Sequence, residues 1–143
     1  MRHDLKVSET VEINASPEKV WKVLTDPSLI KEYLFGTETI TDWKVGSDII
    51  FQGEYQGHKY KDKGLVKEHI NHKRVSYAYW SAFSGLEDKS ENYSIVTYDL
   101  ESKDGKNTNF TWSQSGFANE EGQKHSQSGM ADLLKQIKAI AER

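Results

Sequence analysis

The sequence predicts an α+β fold in which an antiparallel sheet of about seven strands is covered by one long C-terminal helix, in the order β-α-α-β6-α. Three observations carry this. Two short helices, each opened by one of the two prolines, follow an N-terminal strand. Six segments with strand signals come next, divided by short turns. After Asn119 the apolar spacing changes from that of a strand to that of a helix.

The first strand, "LKVSETVEI", carries Leu5, Val7, Val11 and Ile13, with an irregularity expected near Glu9 and Thr10. In "NASPEKVWKVL", Ser16 caps a helix whose first residue is Pro17. The capping box is incomplete, because Lys19 stands where Glu is wanted. Val20, Val23 and Leu24 form the apolar stripe, with Trp21 at its edge. "TDPSLIKEYLFG" repeats the device: Asp26 caps, Pro27 starts, Leu29, Ile30, Tyr33 and Leu34 face inward, and Gly36 ends the helix. The strand segments are "TETIT", "SDIIFQGEY", "KYKDKGLVKEHI", "RVSYAYWSAF", "NYSIVTYDLE" and "TNFTWSQSGF". Turns fall at Val45-Gly46-Ser47, Gln56-Gly57, Asn71-His72-Lys73 and Asp104-Gly105-Lys106-Asn107, the last a hairpin signal. Short connections make successive strands antiparallel. In the last helix Met130, Leu133, Leu134, Ile137 and Ala141 share a face, opposite Lys135, Lys138 and Glu142. Towards its start that stripe continues as Gln123, Ser126 and Gln127, where a dry core would want apolar residues.

The 143 residues are one domain's length, 1–143. No apolar run approaches the roughly 18 residues a membrane helix needs, so no membrane insertion is expected. The charged start, "MRHDLKVSETVEI", lacks the apolar stretch of a signal peptide, and there are no cysteines. A cytoplasmic protein is expected. Nineteen basic residues face 22 acidic ones, and the signs are mixed along the chain, as in "YKDKGLVKEH". That reads as solvated surface and excludes the basic stripe of a nucleic-acid binder. His69 and His72 sit at a strand end without metal-ligand spacing, so no metal and no cofactor are expected. No nucleophile elbow, Walker or dinucleotide pattern occurs, and no catalytic residue is assigned.

Several motifs together resemble the activator of Hsp90 ATPase homologue C-terminal domain, within the START/Bet v 1-like (SRPBCC, helix-grip) superfamily. They are "ASPEKVWKVLTDPSLIKEYLFG" (15–36), "DWKVGSDIIFQG" (42–53), "GLVKEHINHKRVSYAYW" (64–80), "TYDLESKDGKNTNFTWSQSGF" (97–117) and "HSQSGMADLLKQIK" (125–138). The resemblance implies a helix-grip fold, a curved antiparallel sheet wrapped around the C-terminal helix with a cavity between them. It also brings a chaperone and the stress response into view as partner and setting. Two departures stand out. Met130 follows Gly129 where the family commonly has Trp, and these 143 residues hold no counterpart of the eukaryotic activator's separate N-terminal domain.

By that resemblance the Val75, Tyr77 and Tyr79 face of its strand points inward, and alternation places Phe51, Val66, Val96, Tyr98, Phe110 and Trp112 inward on the neighbours. Ser76, Ala78 and Trp80 point outward, and Trp80 and Phe83 are candidates for a dimer surface or for cover by a loop. The expected ligand-binding residues are Phe35, Phe51, Val66, Tyr77, Tyr79, Val96, Tyr98, Trp112, Gly129 and Met130. Each ring is also a natural core residue; several tyrosine hydroxyls facing one space point to water or to a ligand with polar atoms. The expected function is binding of a small apolar or aromatic ligand, as a monomer or homodimer, rather than catalysis. The alternatives are a chaperone-regulating module and a cyclase or hydrolase using Glu54, Glu68 or His125 inside the cavity.

Overall fold

The computed structural model describes all 143 residues. The element order is β1 (Arg2–Ile13), α1 (Pro17–Thr25), α2 (Pro27–Tyr33), β2 (Glu38–Ile40), β3 (Asp48–Tyr55), β4 (His58–Ile70), β5 (Arg74–Trp80), β6 (Ser94–Glu101), β7 (Thr108–Phe117) and α3 (Glu120–Glu142). The strands form one antiparallel sheet in the order β1-β7-β6-β5-β4-β3-β2, and α3 crosses it in a helix-grip arrangement.

The helix caps follow from the local sequence. Ser16 Oγ accepts from Lys19 N at 3.3 Å and Asp26 Oδ1 from Ser28 N at 2.9 Å. Asp26 thus closes α1 and opens α2. Gly36 N donates to Lys31 O at 3.0 Å with Gly36 at φ +81°, which stops α2 as the sequence implied.

Two strand expectations are corrected. Glu9 and Thr10 pair regularly with Trp112 and Thr111, and the irregularity of β1 lies between Arg2 and Lys6. Glu9 keeps the parity of Val7 and Val11 and is exposed, so a polar residue there needs no bulge. β5 ends at Trp80, not Phe83. Its continuation is captured by side chains: Asp62 Oδ1 takes the Ala82 N–H at 3.1 Å, and Ser81 Oγ takes that of Phe83 at 3.1 Å. Trp80 lies beneath the loop that follows, donating Nε1–H to Leu86 O at 3.1 Å, while Phe83 is 65% exposed.

The core is one cluster between the inner face of the sheet, α1, α2 and the C-terminal half of α3. Ile13, Val20, Ile49, Val75, Phe110, Ile137 and Ala141 are wholly buried. At the far end of α3, Glu142 Oε2 accepts from Asn14 N at 2.8 Å, Lys19 Nζ reaches Arg143 O at 2.8 Å, and Arg143 grips Glu32 through 2.8 and 2.7 Å contacts. His69 and His72 flank the Trp21 ring at 5.5 and 6.2 Å, and His69 Nδ1 meets Trp43 O at 2.7 Å.

Ile137→Ala removes a fully buried side chain from the centre of the grip, and urea denaturation is expected to show a loss of about 2–5 kcal/mol. The β6–β7 hairpin gives a second test. Asp104 Oδ1 accepts from Lys106 N and Asn107 N at 2.9 Å each, and these bonds pull its carboxyl from 3.8 to about 2. A carboxyl lowered on folding stabilises above its unfolded value and loses that contribution as the pH falls through the folded one. Asp104→Asn is therefore expected to flatten the acid limb of stability between about pH 4 and pH 2 in denaturation series.

Candidate functional site

The inner wall of the sheet is built by alternation on five strands. Phe51, Asp62, Val66, Tyr77, Tyr79, Val96, Tyr98, Phe110 and Trp112 all take the inward parity. The rings run across the sheet in edge and tilted contacts: Phe51 to Tyr77 at 5.8 Å, Tyr77 to Tyr98 at 5.7 Å, and Tyr98 to Trp112 at 4.6 Å. Tyr77 and Tyr98 satisfy each other through a 2.7 Å hydroxyl contact. Burial pushes both phenols upward, so they stay neutral hydroxyls. Tyr60 lies across Gly53, where a Cβ would stand 2.7 Å from the Tyr60 hydroxyl, and it delivers that hydroxyl to Thr37 Oγ1.

Three adjoining spaces open at the end of the sheet remote from Arg143. An inner one of about 220 Å3 lies between the end of α2 and the wall formed by Phe51, Asp62, Tyr77, Tyr79 and Trp112. A second, of about 450 Å3, runs between Trp112 and the α3 residues Ser126, Gly129, Met130 and Leu133. A wider groove of about 1120 Å3 lies between the segment around Phe83, the end of β7 and the start of α3. Phe35 and Gln114 line all three.

Of the ten residues expected at the site, Phe35, Phe51, Tyr77, Tyr79, Trp112, Gly129 and Met130 border these spaces. Val66, Val96 and Tyr98 border none of them and are closed within the core at 1%, 3% and 3% exposure. Phe35 is 83% exposed and has φ +53°, a left-handed backbone that costs a non-glycine residue about 1–2 kcal/mol. Glu54 is exposed at the far end of β3, and Glu68 is exposed and pairs with Arg74 at 3.6 Å. His125 borders the second space and the groove and is exposed.

Asp62 is the residue that sequence reasoning missed. It lies inside "YKDKGLVKEH", read above as solvated surface, yet it is 5% exposed. Its Oδ2 accepts from Tyr79 Oη at 2.7 Å, and its Oδ1 from Ala82 N. Burial first, and the nearby carboxylate second, hold the Tyr79 phenol well above its usual range, so Tyr79 remains a donor. The signal that finds Asp62 is period two: Tyr60, Asp62, Gly64 and Val66 share a face, and Asp62 pairs directly with inward Phe51.

A curved sheet gripping a C-terminal helix, open at one end, defines the Bet v 1-like class of helix-grip proteins. Residues 14–142 match the model of the activator of Hsp90 ATPase homolog 1-like proteins, and the chain belongs to that family. Among solved structures, a protein of Cytophaga hutchinsonii is 36% identical with a TM-score of 0.81, the match covering 96% of this chain and 94% of that one. An HSP90 activator from Plasmodium falciparum is 17% identical with a TM-score of 0.75, over 95% of each chain. The Aha1 dimer from Colwellia psychrerythraea is 19% identical with a TM-score of 0.74, over 96% of each. No curated protein matches the chain.

The Tyr77–Tyr98 pair makes the wall testable. Tyr98→Phe leaves a buried hydroxyl without its partner and is expected to cost about 1–3 kcal/mol by chemical denaturation. Removing both hydroxyls in Tyr77→Phe/Tyr98→Phe is expected to cost less than the sum of the single changes.

Proposed function

We propose that this chain binds a small, largely apolar, ring-containing molecule in the cleft between the sheet and the N-terminal half of α3, as a cytoplasmic single-domain binding protein rather than an enzyme. Phe35 carries the reading. A phenylalanine held in left-handed backbone and left in water contributes little to the fold, yet it borders every part of the cleft. Phe83, 65% exposed, stands at the same mouth. Apolar rims of this kind mark entry surfaces for apolar partners. Inside, the rings of Phe51, Tyr77, Tyr79 and Trp112 offer stacking area, and Gln114 and Ser126 offer polar edges. Met130, where the family commonly has Trp, leaves a flexible side chain beside the second space. Of Glu54, Glu68 and His125, the residues a cyclase or hydrolase would need inside the cavity, His125 alone borders the cleft.

A second reading has support of another kind. The family description and the Plasmodium falciparum neighbour, an HSP90 activator, favour contact with a chaperone, and the Colwellia psychrerythraea dimer favours a homodimer. On that reading a chaperone's ATPase rate rises when the chain is added; an unchanged rate removes it.

The cleft is tested with N-phenyl-1-naphthylamine, a neutral dye that brightens in apolar surroundings. The wild type is expected to enhance its fluorescence. Phe35→Asn is expected to weaken binding about tenfold while leaving thermal stability equal or higher, because Asn tolerates the left-handed backbone. Trp112→Ala is expected to weaken both binding and stability. No enhancement by the wild type, or equal affinity in both variants, overturns the reading.

A further inference from the structure

We infer that the ligand carries a protonated amine, held by Asp62 among the rings of the inner space; the inference rests on the reading of the cleft as a small-molecule site. Asp62 is 5% exposed, and the two donors it meets, Tyr79 Oη and Ala82 N, are neutral. None of the seven ion pairs in the molecule includes it. Of the ten residues around the inner space it is the one with a charge. Its chain neighbours Lys61 and Lys63 take the opposite face, and Lys63 Nζ is engaged by Asp88 Oδ2 at 2.7 Å. A buried carboxylate is costly unless its charge is compensated, and two neutral donors satisfy hydrogen bonds without supplying a positive charge. A carboxylate has about four acceptor positions, so roughly two remain open.

The rest of the wall suits a cation as well. Phe51, Tyr60, Tyr77, Tyr79 and Trp112 border the same space, and aromatic faces attract a cation within about 6 Å of the ring centroid. A neutral ligand gains the stacking but leaves the carboxylate unpaired. An anionic ligand meets it with repulsion. A volume of about 220 Å3 holds an ammonium head and a short aryl or alkyl arm. A larger body continues past Phe35 and Gln114, which this space shares with the two outer ones.

The test compares three probes of one shape on the wild-type protein by calorimetric titration or displacement of the neutral dye: 2-phenylethylamine, 2-phenylethanol and 3-phenylpropanoate. The amine is expected to bind about tenfold or more tighter than the alcohol, with the carboxylate weakest. In Asp62→Asn, checked for fold by circular dichroism, the preference for the amine is expected to vanish while the dye still binds. If the alcohol or the carboxylate matches the amine on the wild type, the inference is overturned and the cleft reading stands. The same holds if the dye binds and none of the three probes does. If neither dye nor probes bind, both fall. An amine preference that survives unchanged in a folded Asp62→Asn also overturns it.

Discussion

One sheet has one inner face to cover, and α3 is the long helix that does it. That helix is apolar over only half its length. Met130, Leu134, Ile137 and Ala141 are buried, whereas no residue from Glu120 to Gly129 is. At about 1.5 Å per residue the uncovered half spans roughly 15 Å. The other half is sealed by core packing and by Arg143 on Glu32, Lys19 on the Arg143 carbonyl and Glu142 on Asn14. The polar half stays tied to the sheet by Gln123 Nε2 on Lys6 O at 2.9 Å. A grip that is tight at one end and spaced at the other follows from this gradient in one helix, without a separate device to open it.

The wall facing that gap is made of rings, and rings bring rigidity. Tyr77 and Tyr98 bond to each other, Tyr33 donates to Val23 O at 3.2 Å, and Tyr79 donates to Asp62. Each hydroxyl has one defined partner, so each ring has a fixed orientation. A surface held this way loses little freedom when something docks on it, which is the physical content of preorganisation. Phe35 is the opposite case. Nothing buries it, and its backbone is strained, the combination expected where local stability has been traded for a function at the mouth.

Much of the fold was legible because local rules and the global pattern agree. Proline and cap residues set both short helices, period two set which side chains share a face, and the family resemblance chose as inward the face of Phe51, Val66, Tyr77, Val96, Tyr98, Phe110 and Trp112. Where reading failed, a tertiary contact had overruled a local pattern. The aromatic run through Phe83 reads as strand, but Asp62 and Ser81 take the backbone N–H groups that would have continued it. Asp62 itself was lost among lysines, since composition averages over two faces that the pleat separates. The cleft residues divided for the same reason. Parity says which side chains face inward, and the packing around them decides whether they are closed within the core, as Val96 and Tyr98 are, or border space, as Tyr79 and Trp112 do.

Asp62 has a structural duty as well as a place in the cleft, and the two can be weighed. Ending β5 requires one acceptor for Ala82 N–H, and orienting Tyr79 requires one more. The two donors meet different oxygens, Ala82 N on Oδ1 and Tyr79 Oη on Oδ2, so an asparagine would turn its amide NH2 towards one of them, and the duty calls for two acceptor oxygens at the cost of desolvating a carboxylate. That duty accounts for a carboxylate in place of an amide, yet both donors are neutral and neither supplies a positive charge to balance it. The remaining acceptor positions of the carboxylate give a positive group a partner in the inner space that Asp62 borders together with Phe51, Tyr77 and Trp112. No lysine, arginine or histidine of the chain borders that space, so on the inference above the positive group is the ligand's own.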